Sequence, residues 1–150
     1  MKRAIGWILG SFALVAISSS AHAQLATTWN WTVPGVTDNG IFRTYFACTN
    51  NGAVAATVGV QVYGPTGTAL NSVAATELSL NPNETRLFTT TAGGAAFISD
   101  SVLGTFGFGT GSAQILASES KRISCSAWLW GASLGLTNLS VVKKNTQKGQ

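Results

Sequence analysis

The chain has 150 residues, of which 45% are hydrophobic and only 9% are charged, with a formal net charge of +4 at pH 7. A chain of this length can bury the core of one domain. A nucleic-acid-binding protein needs a clustered basic face, whereas the one basic cluster here, Lys143, Lys144 and Lys148, lies at the C-terminus, where it is typical of a solvated tail. We therefore expect no nucleic-acid partner.

The first 23 residues have the layout of a secretory signal peptide. Residues 1–3 are basic after the initiator, residues 4–17 are almost wholly apolar, and residues 21–23 read Ala-His-Ala, an A-x-A cleavage site. About 14 apolar residues are too few for the roughly 20 that span a bilayer. We therefore predict cleavage after Ala23, export to the periplasm or the extracellular space, and no membrane span in the mature chain.

The composition of the mature chain favours an all-β fold. Residues 24–150 contain 18 threonines and 11 serines, against seven basic and five acidic residues. Branching at Cβ makes Thr and Val favourable on a pleated surface, and hydroxyls must supply most of the polar surface. We predict one β-sandwich domain over residues 24–142 and a disordered basic tail over residues 143–150.

Short runs of alternating polarity, separated by turn residues, predict an antiparallel sandwich of about seven to nine strands. We expect Pro34-Gly35 to end the first strand, a hairpin turn at residues 38–40, and a helical turn at Phe97–Val102 within a glycine-rich irregular stretch. The predicted strands are Trp29–Val33, Ile41–Cys48, Val54–Tyr63, Val73–Leu80, Thr85–Thr90, Ala113–Ala117, Arg122–Trp130 and Leu136–Val142.

The two cysteines, Cys48 and Cys125, each lie on the apolar face of an alternating strand. In an oxidising compartment two cysteines most often form one disulfide, so we expect a bridge that ties an early strand to a late one across the core. This layout is similar to that of immunoglobulin-like sandwiches, in layout only. The buried tryptophan of that family has no counterpart here, because the strand after Cys48 offers only Tyr63.

The mature chain lacks the usual catalytic groups. The only histidine of the full chain, His22, falls in the predicted signal peptide, and both cysteines fall in the expected disulfide, which excludes Ser-His-Asp, Cys-His and zinc sites. Glu77 and Glu84 flank one turn and could form a carboxylate pair that cleaves glycosides, although acids near turns are ordinary surface residues. We expect no enzymatic activity, no cofactor and no metal, with a paired-carboxylate hydrolase as the weak alternative.

The tryptophans are the most suggestive feature. Trp29 and Trp31 share one face of the first strand, and Trp128 and Trp130 share the face opposite Cys125. Rings on an outer sheet face present a large area at low entropic cost and suit a flat carbohydrate or a protein. The alternative is that the two pairs pack together as a second small core.

These observations indicate an exported, non-enzymatic binding or structural module of the bacterial envelope or extracellular space. Its partner would be an envelope protein, a second copy of the chain or a glycan, and a carbohydrate-binding protein is the second hypothesis. Exposed tryptophans in a shallow groove would favour sugar binding, whereas buried tryptophans beside an unpaired apolar edge strand would favour docking by strand addition. If the tryptophans form a core, we expect the site in the loop that carries Phe106 and Phe108.

Overall fold

The computed structural model describes residues 31–91, 99–105, 107–133 and 135–144. In this part of the chain, ten strands and one helical turn follow each other in the order β1 (Trp31–Asp38), β2 (Phe42–Asn50), β3 (Ala56–Tyr63), α1 (Val73–Thr76), β4 (Leu78–Leu80), β5 (Thr85–Thr89), β6 (Ser101–Val102), β7 (Phe108–Ala117), β8 (Ile123–Gly131), β9 (Gly135–Leu139) and β10 (Val142–Lys143). The predicted all-β class is confirmed.

The strands form two five-stranded sheets in a sandwich-like layout. The first sheet has the order β10-β1-β7-β3-β4 and the second the order β6-β5-β2-β8-β9. The described strand pairs are antiparallel except β5 with β6, which is parallel. The first sheet fills the core mainly with β-branched side chains, which suit a pleated surface, and the second adds larger rings. The most deeply buried of these residues are Val33, Val58, Val60, Val62, Ile115, Phe46 and Phe88.

The predicted disulfide between Cys48 and Cys125 is confirmed, with an S–S distance of 2.10 Å. Both sulfurs lie on the inner side, because Cys48 is fully buried and Cys125 packs partly buried against the core. The expectation that the bridge crosses the core was wrong. Cys48 and Cys125 are direct partners in the β2–β8 ladder, with Cα atoms 4.2 Å apart. The bridge therefore joins neighbours within one sheet, whereas the immunoglobulin layout joins two sheets.

The turn at residues 38–40 was wrongly predicted as a hairpin, because β1 and β2 belong to different sheets. The Asn39 side-chain oxygen accepts hydrogen bonds from the backbone N–H groups of Ile41 and Phe42, at 3.1 and 2.9 Å. Gly40 supplies the left-handed φ of 85° that the turn requires. These residues form a tight turn. Because the strands before and after it belong to different sheets, the turn is a corner between the two sheets.

The first strand does not end at Pro34-Gly35 as predicted. The ladder between β1 and β7 shifts register on both sides of Val36, so the strand bends there and continues to Asp38. On its other side β1 is paired by β10 only at Trp31 and Thr32. Proline lacks a backbone N–H and is found mainly on edge strands and at bulges, and Pro34 lies beside such a register shift, where β1 has no second strand partner among the described residues.

Three further predicted elements differ from the structure. The predicted strand Val73–Leu80 is a helical turn followed by the three-residue strand β4, and the end of the predicted helical turn Phe97–Val102 is the strand β6. The predicted strand Leu136–Val142 divides into β9 and β10, because the chain passes from the second sheet to the first between them.

The predicted tail and signal peptide are only partly described by the structure. Lys143 belongs to β10, one residue into the predicted tail, whereas residues 145–150 lie outside the described residues. The predicted signal peptide over residues 1–23 also lies outside the described residues. The same is true of three residues named in the predictions, Trp29, Phe97 and Phe106.

Candidate interaction surface

The strand β8 separates the core from the candidate surface by simple alternation. Its residues Ile123 and Ala127 point inward with Cys125 and are buried. Trp128 and Trp130 point to the opposite, outer face of the second sheet, where they are half-buried. Neither ring belongs to the hydrophobic core cluster of the described residues.

Each of these rings lies in a row of three partners across β2, β8 and β9. Trp130 lies between Arg43 and Leu136, and Trp128 between Tyr45 and Asn138. We call this set of side chains the tryptophan face: Arg43, Tyr45, Trp128, Trp130, Leu136 and Asn138. Partners in a β ladder point to the same side of the sheet with Cβ atoms about 5 Å apart, which places all six on one surface.

Ring contacts hold both indoles in place. The Arg43 guanidinium carbon lies 5.9 Å from the centre of the Trp130 ring, a cation–π distance. The rings of Tyr45 and Trp128 stack with centroids 6.1 Å apart and planes inclined by 12°. Leu136, at 55% exposure, is the most exposed large hydrophobic side chain of the face, whereas Tyr45 is fully buried beneath it. The face thus has a fixed aromatic base and an apolar side chain open to solvent.

Arg43 also connects the tryptophan face to a buried carboxylate. Asp38, at the end of β1, has no solvent exposure. Burial raises the pKa of Asp38 above its ordinary value, while the Thr90 hydroxyl, the positive charge of Arg43 and the Gly40 amide oppose that rise to a lesser degree. Within the described residues, neither carboxylate oxygen makes a hydrogen bond of regular geometry. The buried Asp38 carboxylate, which lies beside the candidate surface, therefore lowers the free energy of unfolding when it is ionised.

Threonine hydroxyls near Asp38 are committed to the backbone. The Thr44 hydroxyl accepts a hydrogen bond from the Thr37 N–H and donates one to the Thr37 carbonyl, both at 3.0 Å. The Thr90 hydroxyl accepts a hydrogen bond from the Thr44 N–H at 3.2 Å. These hydrogen bonds join β1 to β2, and β2 to the residue after β5, at the end of the sandwich where the chain passes from β1 to β2. They provide no strong donor to the Asp38 carboxylate.

We expect Asp38→Asn to raise the melting temperature at pH 7. Because the pKa of Asp38 is raised on folding, the folded state binds the proton more tightly, and the stability that this group contributes falls as pH rises above its ordinary value near 3.8. The neutral amide avoids that loss. Melting curves from pH 3 to pH 8 should show a gain that grows with pH and disappears at the acid end.

Asp100→Asn provides the matched control. Asp100 accepts hydrogen bonds from the Leu87 N–H at 2.7 Å and from Arg86 at 3.0 Å, so its replacement should lower the melting temperature at pH 7. A lower melting temperature for Asp38→Asn at pH 7 would contradict the electrostatic interpretation of Asp38.

The structure does not bring Trp31 to the tryptophan face. Trp31 is 6% exposed and belongs to the core, because β1 lies in the first sheet with Trp31 and Val33 turned inward. The alternative site also loses one residue: Phe108 is 7% exposed and is the ladder partner of Asp38 at the start of β7. Trp29 and Phe106, the other members of the two predicted sets, lie outside the described residues.

Two of the acidic residues in the described part of the chain, Glu84 and Asp100, contact the same arginine. Glu84 accepts a hydrogen bond from the Asn81 N–H at 2.7 Å and forms an ion pair with Arg86, which also pairs with Asp100. These contacts stabilise the turn before β5. Within the described residues, no three His, Cys, Asp or Glu side chains are placed to hold a metal ion.

A shallow groove of about 390 Å³ lies between the turn after β3 and the start of β7. It is lined by Gly64, Pro65, Gly67, Thr110, Gly111 and Ser112. These side chains include no charged group and no aromatic ring, so the groove offers a ligand little to recognise. The tryptophan face is the stronger candidate.

Sequence reasoning missed Arg43, Tyr45 and Leu136 as members of this face. Alternation along Ile41–Cys48 does place Arg43 and Tyr45 opposite Cys48. What was missing was the pairing of β2 with β8, because the disulfide was expected to cross the core. A bridge between directly paired strands brings the outward residues of both strands side by side, which would have identified the rows.

Among the described residues, no helix is long and apolar enough to cross a membrane. Comparison with known proteins gives no match: no protein-family model matches the chain, and no curated protein or solved structure matches it either.

Proposed function

We propose that this chain is an exported, non-enzymatic binding module. It binds a protein partner of the bacterial envelope or extracellular space through the tryptophan face. The observation that carries the proposal is the pair of rows Arg43–Trp130–Leu136 and Tyr45–Trp128–Asn138 on the outer side of the second sheet. Trp, Tyr and Arg are the residue types that dominate the binding energy of protein interfaces.

The contacts within the rows favour a protein over a sugar. Carbohydrate binding by stacking uses an open ring face, and each indole already has one neighbour at a ring face, Tyr45 for Trp128 and the Arg43 guanidinium for Trp130. A protein partner can instead bury ring edges together with the exposed Leu136 side chain. Because the two indoles are already held by their neighbours, binding would cost little side-chain entropy.

Export is supported by two independent features. The N-terminal layout is that of a signal peptide, and the disulfide between Cys48 and Cys125 is typical of an oxidising compartment. The low charge content, with hydroxyls and amides supplying most of the polar surface, suits a protein that works among others at the cell surface or in a matrix.

We expect Trp130→Ala to weaken binding to the native partner more than tenfold, because truncating a central aromatic anchor costs about 2 kcal/mol or more of binding energy. Tyr63→Ala is the matched control: Tyr63 is a half-buried aromatic residue on the outer side of the first sheet, bonded to Gln114. It should leave affinity unchanged. Affinities would be measured for the mature protein against separated envelope-protein and envelope-glycan fractions of the source cell.

The alternatives give different results in the same experiment. Loss of glycan binding with Trp130→Ala, without any protein partner, would assign the face to carbohydrate. A variant that unfolds, with all indoles of the wild type protected from acrylamide quenching, would show that the face is a second core and would contradict the proposal.

A further inference from the structure

Most strand edges in the described structure carry a feature that prevents pairing with another chain. An exposed edge offers unpaired N–H and C=O groups, and natural sheets protect such edges with short strands, prolines, bulges or covering groups. The edge strands β6 and β10 have two residues each and β4 has three. The free part of β1 carries Pro34 and Gly35, followed by a register shift on each side of Val36.

The free edge of β3 is covered by the Asn71 side chain and by the backbone of Ala69 and Leu70. The Asn71 amide accepts a hydrogen bond from the Val62 N–H at 2.8 Å and donates one to the Val60 carbonyl at 2.7 Å. The Leu70 N–H also donates to the Val62 carbonyl at 2.9 Å. Asn71 therefore takes the place of a neighbouring strand beyond the end of β4.

The strand β9 has no such protection. It is five residues long, Gly135–Leu139, and its first four residues are exposed. It carries no charge and no proline, and its ladder with β8 runs from Gly131–Gly135 to Ala127–Leu139 without a register shift. On its other side it has no strand partner among the described residues. The second sheet thus ends in a straight, neutral edge strand.

We propose that β9 pairs antiparallel with β9 of a second copy of this chain, which joins the second sheets of two molecules into one. A strand whose charges all have one sign would repel a second copy of itself. The strand β9 is neutral throughout, so no such repulsion opposes pairing with its own copy. An antiparallel pair centred on Thr137 obeys two-fold symmetry, as most homodimers do.

The symmetric register also matches side chains across the axis. Thr137 lies opposite Thr137 of the second copy, a favourable cross-strand pair, and Leu136 lies opposite Asn138 of the second copy. Leu136 and Asn138 end the two rows of the tryptophan face, so the pairing makes the row Arg43–Trp130–Leu136 continuous with the row of Trp128 in the other molecule. The exposed Leu136 side chain is thereby covered on one flank.

The size of this contact predicts its strength. Five residues from each strand bury less than the roughly 1,200 Å² of a standard stable interface. The dimer is therefore weak and forms at high local concentration. It does not depend on what the tryptophan face binds, because backbone groups make the pairing.

Cross-linking of Thr137→Cys tests the register. The two native cysteines are bonded to each other and the chain has no others, so the new thiol is the only free one. Thr68→Cys, at an exposed threonine in the turn after β3, is the matched control. At high protein concentration under mild oxidation, we expect at least five times more covalent dimer from Thr137→Cys, because residues directly opposite in a ladder have Cβ atoms about 4.5 to 5.5 Å apart.

A charge on the strand tests the same contact without a cross-link. Thr137→Lys places two like charges opposite each other and should abolish the concentration-dependent dimer in sedimentation, whereas Thr68→Lys should leave it unchanged. Equal cross-linking of the two cysteine variants, or a dimer that survives Thr137→Lys, would overturn the proposal. Trp130→Ala should still cross-link through Thr137→Cys, so failure of the partner-binding proposal and failure of the dimer can be told apart.

Discussion

A variant with both Cys48→Ala and Cys125→Ala is expected to lose about 4 to 5 kcal/mol of unfolding free energy and to melt more than 10 °C below the wild type. The bridge closes a loop between residues 77 positions apart, so its loss restores a large number of conformations to the unfolded chain. Denaturant unfolding of the oxidised protein and of the double variant measures the difference.

Reduction of the wild type provides the control for this experiment. Cys48 is fully buried, so replacing it by alanine also removes packing contacts of the sulfur atom. If the bond is the main contribution, the reduced wild type should unfold at nearly the same denaturant concentration as the double variant. Equal stability of the oxidised and reduced wild type would contradict the expectation.

The position of the bridge adds a local reason for a large effect. β2 is the central strand of the second sheet and pairs with β8 along nine consecutive residues, from Phe42–Gly131 to Asn50–Ile123. The bond lies inside that ladder, so it fixes the register of the same two strands that carry Arg43, Tyr45 and both indoles. Loss of the bridge should therefore loosen the tryptophan face as well as the fold.

The parts of the fold that could be predicted from the sequence are those that follow from the alternation of side chains along a strand. Side chains in a strand point to opposite sides in turn, so Cys125 and Trp130 could be assigned to opposite faces before any pairing was known. Burial along β8 alternates in this way from Ile123 to Ala127, and residues 128–130 are all half-buried. Such properties depend on neighbours along the chain and are visible in the sequence.

Properties that depend on distant residues could not be predicted. Nothing local distinguishes a corner at Asn39 from a hairpin, because both need the same tight turn and a left-handed Gly40. Among the described residues, β1 has no second strand partner at Pro34 because its pairing with β10 extends only to Thr32. The same holds for the candidate site, since Leu136 joins Trp130 only once β9 is known to lie beside β8.

The glycine-rich run shows most clearly how a distant contact changes the interpretation of a sequence. It was expected to be an irregular loop, but β7 begins at Phe108 and is paired on both sides, with β1 and with β3. At Gly111 the β3 backbone comes very close, because a Cβ atom there would lie 2.1 Å from the Tyr63 carbonyl oxygen. Gly111 is therefore required by a close approach of two strands.

We expect Gly111→Ala to destabilise the protein by about 3 kcal/mol, at the upper end of the usual range for overpacked sites. The atom in the way belongs to the backbone of β3, so no side-chain rotation can relieve the clash and the two strands must separate. The Phe108 ring, 3.1 Å from the same added atom, blocks a shift in its direction. Denaturant unfolding of the variant measures the loss.

Gly109→Ala, two residues earlier in the same strand, is the matched control. A Cβ atom at Gly109 would have no atom within 4 Å, so its unfolding free energy should stay within about 0.5 kcal/mol of the wild type, as for ordinary surface positions. The two substitutions add the same methyl group to the same strand and differ only in what faces it. Equal stabilities of the two variants would show that β3 and β7 do not approach as closely as the structure describes, and that the run is tolerant of side chains throughout. A loss of unfolding free energy in the Gly111 variant alone would instead show that β3 and β7 can pair at the centre of the first sheet only when residue 111 has no side chain.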